Sequence, residues 1–366
     1  MLGLVAMKIL QVCPDTYSEL GGVTVHVRNI AERLARRHDV TVFAVANHEL
    51  PRFEVKNGVR VERFRCYAPS NAYFFSWEIP LEMRRVQFDV VHGHGYHAFP
   101  LHYSALAKRG KFVATPHFHG AGHTPLRDCL IRLFKPFGAR TLERAEKIIA
   151  VSEFEKALLH RQFKIDDDKV LVIPNGVDHG EFSNLQKREP EAKSILYVGF
   201  LTAFKGPQYL VEVLPRLAED VVLEIVGRGP LRPFLEKRAR ELRVYDRVRF
   251  YENLSRHELL ERFAEASVFA MLSTFEAYSI VVAEALTAGT PCVVANTSAL
   301  SEWVDNETCF GVDYPIDLNQ LAKQVNRVLE NGVDTTAMRK WIGTKILDWN
   351  DVVGRLENVY ERIAEE

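Results

Sequence analysis

Residues 273–295 read STFEAYSIVVAEALTAGTPCVVA. The apolar run that leads into them, VFAMLS (268–273), has the length and composition of a buried strand. Val281 to Ala288 suits a helix, Gly289 a residue just past its end, and Pro291 blocks continuation before CVVA starts the next strand. Strand, helix, strand in so short a span is the unit of a parallel sheet, because parallel neighbours need a crossover between them. Glu276 falls on the loop leaving the first strand, and Glu284 lies inside the helix. The backbone N–H groups of Tyr278, Ser279 and Ile280 come at the helix start, where free amides and the helix dipole favour an anion. Two carboxylates flanking an anion site suit a ligand with hydroxyls at both ends of a diphosphate, the shape of a nucleotide sugar. The plainer reading of the same spacing is a surface helix with one solvated and one buried glutamate.

The same rhythm extends both ways along the chain. KILQVCP (8–14), VTVFAV (40–45), FDVVHGH (88–94), KFVATPH (111–117), KIIAVSE (147–153) and VLVIPNG (170–176) read as strands, with a helix from Val23 to Arg37 entered through Gly21-Gly22. ILYVGF (195–200), VLEIVG (222–227) and RVRFYE (247–252) form a second series with 268–273 and 291–297. Strands alternating with helices predict an α/β fold, and the polar stretch SNLQKREPEAKS (183–194) is the expected linker. Two Rossmann-like, doubly wound parallel-sheet domains are therefore predicted, at 1–178 and 179–349, facing each other across a cleft. Loops gather at the strand C-terminal ends of such sheets and make a natural ligand site. A length of 366 residues agrees, since domains average ~150 residues.

Hydrophobic residues at 47%, charged residues at 26% and a mean hydropathy of −0.11 exclude disordered and collagen-like classes. A net charge of −1 gives no reason to expect a nucleic-acid partner. That total conceals a split. Residues 1–178 carry 25 basic and 19 acidic side chains, net +6, whereas 179–366 carry 22 and 29, net −7. Five scattered cysteines without a Cys-x-x-Cys pair suit buried thiols in a reducing compartment. No apolar run approaches the ~18 residues of a membrane span. The first cation, Lys8, follows the apolar N-terminal stretch instead of preceding it, which argues against a signal peptide and for a cytoplasmic protein, with the inner face of the membrane as a further location.

Histidines cluster at 92, 94 and 97 and again at 117, 119 and 123, with no Asp or Glu between Val90 and Arg127. Imidazoles in that number resemble a metal-ligand list. A site for an anionic donor would also exclude carboxylates, and the expectation drawn here is no metal. Gly93-His94-Gly95-Tyr96-His97-Ala98 fits a dinucleotide turn, but the ribose-binding acid due ~20 residues later is missing. Ser152 lacks the G-x-S-x-G context of a hydrolase elbow. SNAYFFSWEIP (70–80) is an aromatic loop. Leu126, Cys129, Leu130, Leu133 and Phe134 recur at helical spacing among Arg127, Arg132, Lys135 and Arg140. An ordinary core-facing helix is the expected reading of that pattern, with contact to an anionic membrane as its alternative.

The segment 273–295 resembles the Glu-x7-Glu motif of retaining glycosyltransferases of the GT-B fold, specifically glycosyltransferase family 4. Gly21-Gly22, FDVVHGH, ATPH, AVSEFEK, VIPNGVD, YVGFLTAFKG, EIVGRGP and DWNDVVGRLENVYERI follow in the family's order. The resemblance implies a sugar transferred from a nucleoside diphosphate, UDP or GDP, to a hydroxyl acceptor on a glycan, lipid-linked or small polyol, with no metal and no cofactor beyond that substrate. It implies that Glu276 holds donor-sugar hydroxyls, Glu284 the ribose and Lys205 the diphosphate. Gly21 and Gly22 would admit backbone amides to the phosphates, and His117 would stand near the transferred sugar. Asn175, Gly199, Arg228, Tyr278, Ser279 and Ile280 complete the implied donor set. The final helix, 350–366, is expected to cross back to the first domain. One departure stands out: the family has Arg where this chain has Phe200, so Lys205 acts alone or with Arg228. An epimerase or phosphorylase on the same fold, or a non-catalytic nucleotide-sugar-binding subunit, fits the same motifs.

Overall fold

The computed structural model describes residues 6–17, 21–46, 49–68, 73–120, 122, 125–183, 185 and 192–365, the side chains of 125–129 and 335–337 excepted. The chain divides into two compact units, Met1–Gly176 with Trp349–Glu366, and Val177–Asp348. The polar stretch 183–194 thus falls inside the second unit, and 184 and 186–191 lie outside the described residues.

In the first unit the chain runs β1 (Lys8–Val12), α1 (Gly22–Leu34), β2 (Asp39–Val45), β3 (Phe53–Lys56), β4 (Val59–Phe64), α2 (Glu78–Met83) and β5 (Val90–His94). It continues through α3 (Phe99–Ala107), β6 (Lys111–Thr115), α4 (Pro125–Glu143), β7 (Lys147–Ala150), α5 (Glu153–Phe163) and β8 (Val170–Val172). These strands form one sheet in the order β3-β4-β2-β1-β5-β6-β7-β8, parallel except for the β3–β4 pair. Strands covered on both faces read as continuous apolar runs, and β1, β5 and β6 are buried almost throughout for that reason. The antiparallel edge pair is a hairpin turned by Asn57 and Gly58, both at positive φ. That is the conformation for which an Asn-Gly pair is suited, and the sequence reading did not anticipate it.

The second unit runs α6 (His179–Ser183), β9 (Ser194–Val198), α7 (Pro207–Val213), β10 (Val222–Val226), α8 (Arg232–Glu241), β11 (Val248–Tyr251), α9 (Arg256–Glu265) and β12 (Val268–Met271). α10 (Ile280–Thr287), β13 (Cys292–Ala295), β14 (Cys309–Val312), α11 (Leu318–Asn331) and α12 (Thr335–Lys345) complete it. Its sheet is wholly parallel, in the order β11-β10-β9-β12-β13-β14. The last helix, α13 (Trp349–Glu365), returns to the first unit and packs on α1. Its buried face carries Trp349, Val352, Val353, Leu356, Val359, Tyr360 and Ile363, a helical repeat that needs an apolar partner.

Each doubly wound sheet has a point where the chain reverses its direction of winding, and ligands gather beyond the strand C-termini there. In the first unit it lies between β1 and β5, and in the second between β9 and β12. Among the described residues no helix is long and apolar enough to cross a membrane.

Candidate functional site

In the second unit, the loop after β9 carries Gly199, Phe200 and Lys205, and the loop after β12 carries Glu276. Lys205 Nζ lies 2.6 Å from Glu276 Oε1, and the Ser273 hydroxyl donates to the same oxygen at 2.8 Å. Ser298 Oγ accepts from the Glu276 amide at 3.0 Å. The carboxylate is therefore held by Lys205 from the loop after β9 and by Ser273 of its own loop, while Ser298 fixes the backbone beneath it. Gly206 takes φ +77 directly after Lys205, and a Cβ there would lie 2.3 Å from the Leu272 carbonyl oxygen. Only glycine permits so close a backbone approach, which seats the Lys205 turn against the strand that leads to Glu276.

Gly199 and Gly227 touch backbone to backbone. A Cβ on Gly227 would lie 1.9 Å from the Gly199 carbonyl oxygen, and the Leu201 amide donates to the Arg228 carbonyl at 2.9 Å. The loop that lacks the family's arginine is thus laced to a loop that carries one. Phe200 is half exposed and Arg228 exposed.

Ser279 caps α10 in a left-handed conformation, φ +77 and ψ +81. A non-glycine residue there stores strain of the kind that collects at functional sites. Its hydroxyl and that of Tyr278 are buried without a hydrogen-bond partner among the described residues. The Tyr278 carbonyl accepts from Trp303 Nε1 at 2.8 Å, which fixes the turn. Ile280 opens the helix, where amides have no intrahelical acceptor.

Glu284 is buried about one turn further along α10, and burial pushes its carboxyl above the ordinary range, with Arg256 opposing. Arg256 Nη1 meets Glu284 Oε1 at 2.7 Å and its Nη2 meets Glu181 Oε2 at 2.6 Å. The sequence reading missed Arg256. Its local signal was the capping box Ser255…Glu258 that starts α9, which places Arg256 on the first turn but says nothing of its partner across the fold.

In the first unit His117 follows β6 at φ +48. Its ring stands 4.9 Å from that of His26 and 5.9 Å from that of His94, centroid to centroid. His26, from α1, was not singled out by sequence. Asn175 lies here, its Oδ1 2.6 Å from His26 Nδ1, so the structure brings it to His26 within the first unit. His92 points elsewhere: it is buried in β5, with Nδ1 2.6 Å from the Tyr360 hydroxyl and Nε2 2.7 Å from Thr115 Oγ1. Burial lowers His94 and His117 well below the ordinary imidazole value, neighbouring imidazoles adding to it, and takes His26 down to about 4. All three rings are neutral at pH 7.

Gly21 caps α1 and Gly22 opens it, both at ordinary φ. A Cβ on Gly22 would meet nothing within 4 Å, and one on Gly21 would only touch Asp15 and Thr24. The fold itself does not demand glycine at either position. Among the other sequence expectations, Leu130 and Leu133 of α4 are exposed, whereas Phe134 packs on Phe99, His102 and Phe137. The core-facing reading of that helix holds for Phe134 and fails for the two leucines. Leu126, Arg127, Cys129, His123 and residues 70–72 lie outside the described side chains.

Residues 20–181 match the family description Glycosyltransferase Family 4, and residues 180–344 match Glycosyl transferases group 1. An uncharacterized glycosyltransferase of Methanocaldococcus jannaschii is 28% identical over 93% of this chain and 94% of its own length. The phosphatidyl-myo-inositol mannosyltransferase of Mycobacterium tuberculosis is 28% identical over 98% of this chain and 97% of its own. Among solved structures, Anabaena HepE in complex with UDP-glucose superimposes with a TM-score of 0.79 at 18% identity, covering 97% of this chain and 100% of that one. Motif order, the two parallel sheets and these matches agree: the chain is a member of glycosyltransferase family 4 with the two-domain GT-B fold.

Proposed function

We propose that the protein is a retaining hexosyltransferase that takes a sugar from a nucleoside diphosphate, UDP or GDP, and gives it to a hydroxyl acceptor. The observation that carries this reading is the Lys205–Glu276–Ser273 constellation, in which Lys205 from the loop after β9 meets Glu276 on the loop entering α10, eight residues before the Arg256-held Glu284. Glu276 accepts hydrogen bonds from the donor sugar and steadies positive charge on it. Lys205, salt-bridged to Glu276 at rest, neutralises the departing diphosphate together with the amides at Ser279 and Ile280, which are fixed before charge develops there. Glu284 accepts from the two ribose hydroxyls. No enzyme nucleophile is required, because the leaving diphosphate can take the acceptor's proton on the face where the new bond forms. No metal bridges the diphosphate in this reading. His117 of the first unit serves the acceptor side, where Gly21 and Gly22 admit amides to the phosphates.

The UDP-glucose bound by HepE supports a nucleotide-sugar donor, and the mycobacterial mannosyltransferase supports a lipid-linked polyol among the candidate acceptors. Exposed Leu130 and Leu133 beside exposed Arg132 and Arg140 support a peripheral contact with an anionic membrane at the cytoplasmic face. A thermal-shift panel of UDP, GDP and ADP with their sugars selects the donor. The anomeric configuration of the product, read by proton NMR, then tests retention. Glu276→Ala should abolish transfer with little loss of nucleoside diphosphate affinity, and Glu284→Ala should weaken that affinity. The reverse pattern, or no shift with any nucleotide, overturns the assignment.

A further inference from the structure

We propose that Glu155 is a positioning residue for His117, setting the backbone from which that ring is presented to the acceptor; the proposal rests on the acceptor-side place of His117. Glu155 lies in the first turn of α5 and is fully buried. Its Oε1 accepts from the Phe118 amide at 2.5 Å, and its Oε2 from the Val151 amide at 2.8 Å. Phe118 follows His117 on the loop that leaves β6, and Val151 follows β7, the strand beside it. A single side chain therefore joins the ends of two neighbouring strands. One of its bonds closes on the peptide between His117 and Phe118.

His117 needs such a pin. Its φ of +48 lies in the left-handed region, which a residue with a side chain adopts at a cost and keeps only where its surroundings over-determine it. They do so from both sides. The Pro116 carbonyl accepts from the Tyr96 amide at 2.7 Å, and Glu155 takes the Phe118 amide, so His117 stands between two fixed peptides. The Phe118 ring is buried as well, stacked on His97 at 5.5 Å and edge-on to Phe163 at 5.2 Å between centroids. The imidazoles beside His117 are held in turn. Asn175 fixes His26, and Gln11 Oε1 lies 2.7 Å from His94 Nε2, while the Gln11 amide nitrogen donates to the Tyr360 hydroxyl at 3.2 Å.

Capping α5 does not account for Glu155. Ser152 already caps that helix, its Oγ accepting from the Glu155 amide at 3.0 Å. A carboxylate in the first turn also gains from the helix dipole at the surface, where it would keep its hydration. Burial instead pushes the Glu155 carboxyl up to about 8, with the two amides opposing. Among the described residues no charged side chain acts on it. Removing a carboxylate from water without a cation is costly. What the fold gains is an acceptor with two oxygens, both free of protons only in the ionised form, which spans two loops at once.

The full chain, labelled in its histidine rings, tests this by proton–nitrogen correlation NMR well above pH 8, where Glu155 is ionised. His117→Gln assigns the His117 signals. Glu155→Gln has the same size and one acceptor oxygen fewer, and should shift those signals. Ser152→Ala loosens the start of α5 without touching the carboxylate, and should leave them in place. In transfer assays Glu155→Gln should lower kcat up to about 100-fold, the effect of a misplaced group, with nucleoside diphosphate affinity unchanged. Glu155→Asp draws the charge back by one methylene, and should shift the same signals where the glutamine variant does not fold by circular dichroism. Unmoved His117 signals in the folded Glu155 variant, or an equal displacement in Ser152→Ala, overturn the proposal. The spectra need no substrate, so absence of transfer by wild type counts against the hexosyltransferase reading alone and the spectra still decide the role of Glu155.

Discussion

Arg256→Met should undo the nucleotide site through Glu284. The Glu284 side chain is 10% exposed and Arg256, its cation partner among the described residues, lies 2.7 Å away, so the substitution leaves a buried carboxylate facing an apolar group. Breaking a buried pair from one side costs roughly 3–5 kcal/mol. Arg256 keeps 40% of its side chain in solvent, which screens the pair and lowers the expectation to about 1–3 kcal/mol. Function should suffer as well. Burial already raises the Glu284 carboxyl and Arg256 is the largest influence against it, so without Arg256 the acid holds its proton to higher pH. Hydrogen bonds to a charged acceptor exceed neutral ones by about 1–1.5 kcal/mol, or about 10-fold in affinity for the ribose. Because ionisation rises with pH, the deficit should shrink as pH is raised. Isothermal titration of UDP or GDP into wild type, Arg256→Met and Glu284→Gln across neutral to alkaline pH measures this, with urea unfolding for stability. Wild-type affinity in Arg256→Met at every pH would refute the argument.

Gly227→Ala places a Cβ 1.9 Å from the Gly199 carbonyl oxygen, and urea midpoints should fall by about 1–3 kcal/mol equivalent as the loops part. Gly22→Ala meets nothing within 4 Å and should leave stability within about 0.5 kcal/mol of wild type while weakening diphosphate binding; equal affinity would remove Gly22 from the phosphate site. Phe200→Arg restores the family's cation beside the Arg228 loop and should tighten nucleoside diphosphate binding several-fold in calorimetry, most at low salt. His102 bonds Thr141 and the Tyr96 carbonyl, and burial takes it from 6.5 to about 4. Since unfolding lets it protonate, the stability it confers is present above pH 6.5 and lost as pH falls toward about 4, up to about 3 kcal/mol in all. Thermal unfolding across that window should be flatter for His102→Gln; an unchanged slope counts against it.

The parallel strands and the placement of Glu276 and Glu284 were legible because they rest on short-range signals, apolar runs and a helix start, whereas Lys205 entered only through the resemblance to the family. The β3–β4 hairpin was equally legible in Asn57-Gly58 and was passed over in favour of crossovers. Arg256, Gln11 and Tyr360 were not legible in the same sense. Each acts on a partner between 28 and 349 positions away in sequence, and no local pattern records which distant strand end a side chain will reach. His26 illustrates the point: it reads as one polar residue in an amphipathic helix until β5 and β6 are laid beside it. Asn175 was read with the donor set from its motif, yet its amide oxygen belongs to His26.

α13 gives the molecule an order of assembly. The first unit begins at the N-terminus, but Tyr360, which supplies the hydroxyl for Gln11 and His92, is made after all of the second unit. Glu357 likewise meets Arg37 only then. During synthesis residues 1–176 emerge before the helix that covers the apolar face of α1 and bonds Gln11 and His92, whereas 177–348 holds every strand of its own sheet. The central unit is therefore expected to complete its fold before the first one, against the usual N-to-C sequence of domain folding. Limited proteolysis of stalled chains would show it: the central unit should become resistant before the segment that precedes it.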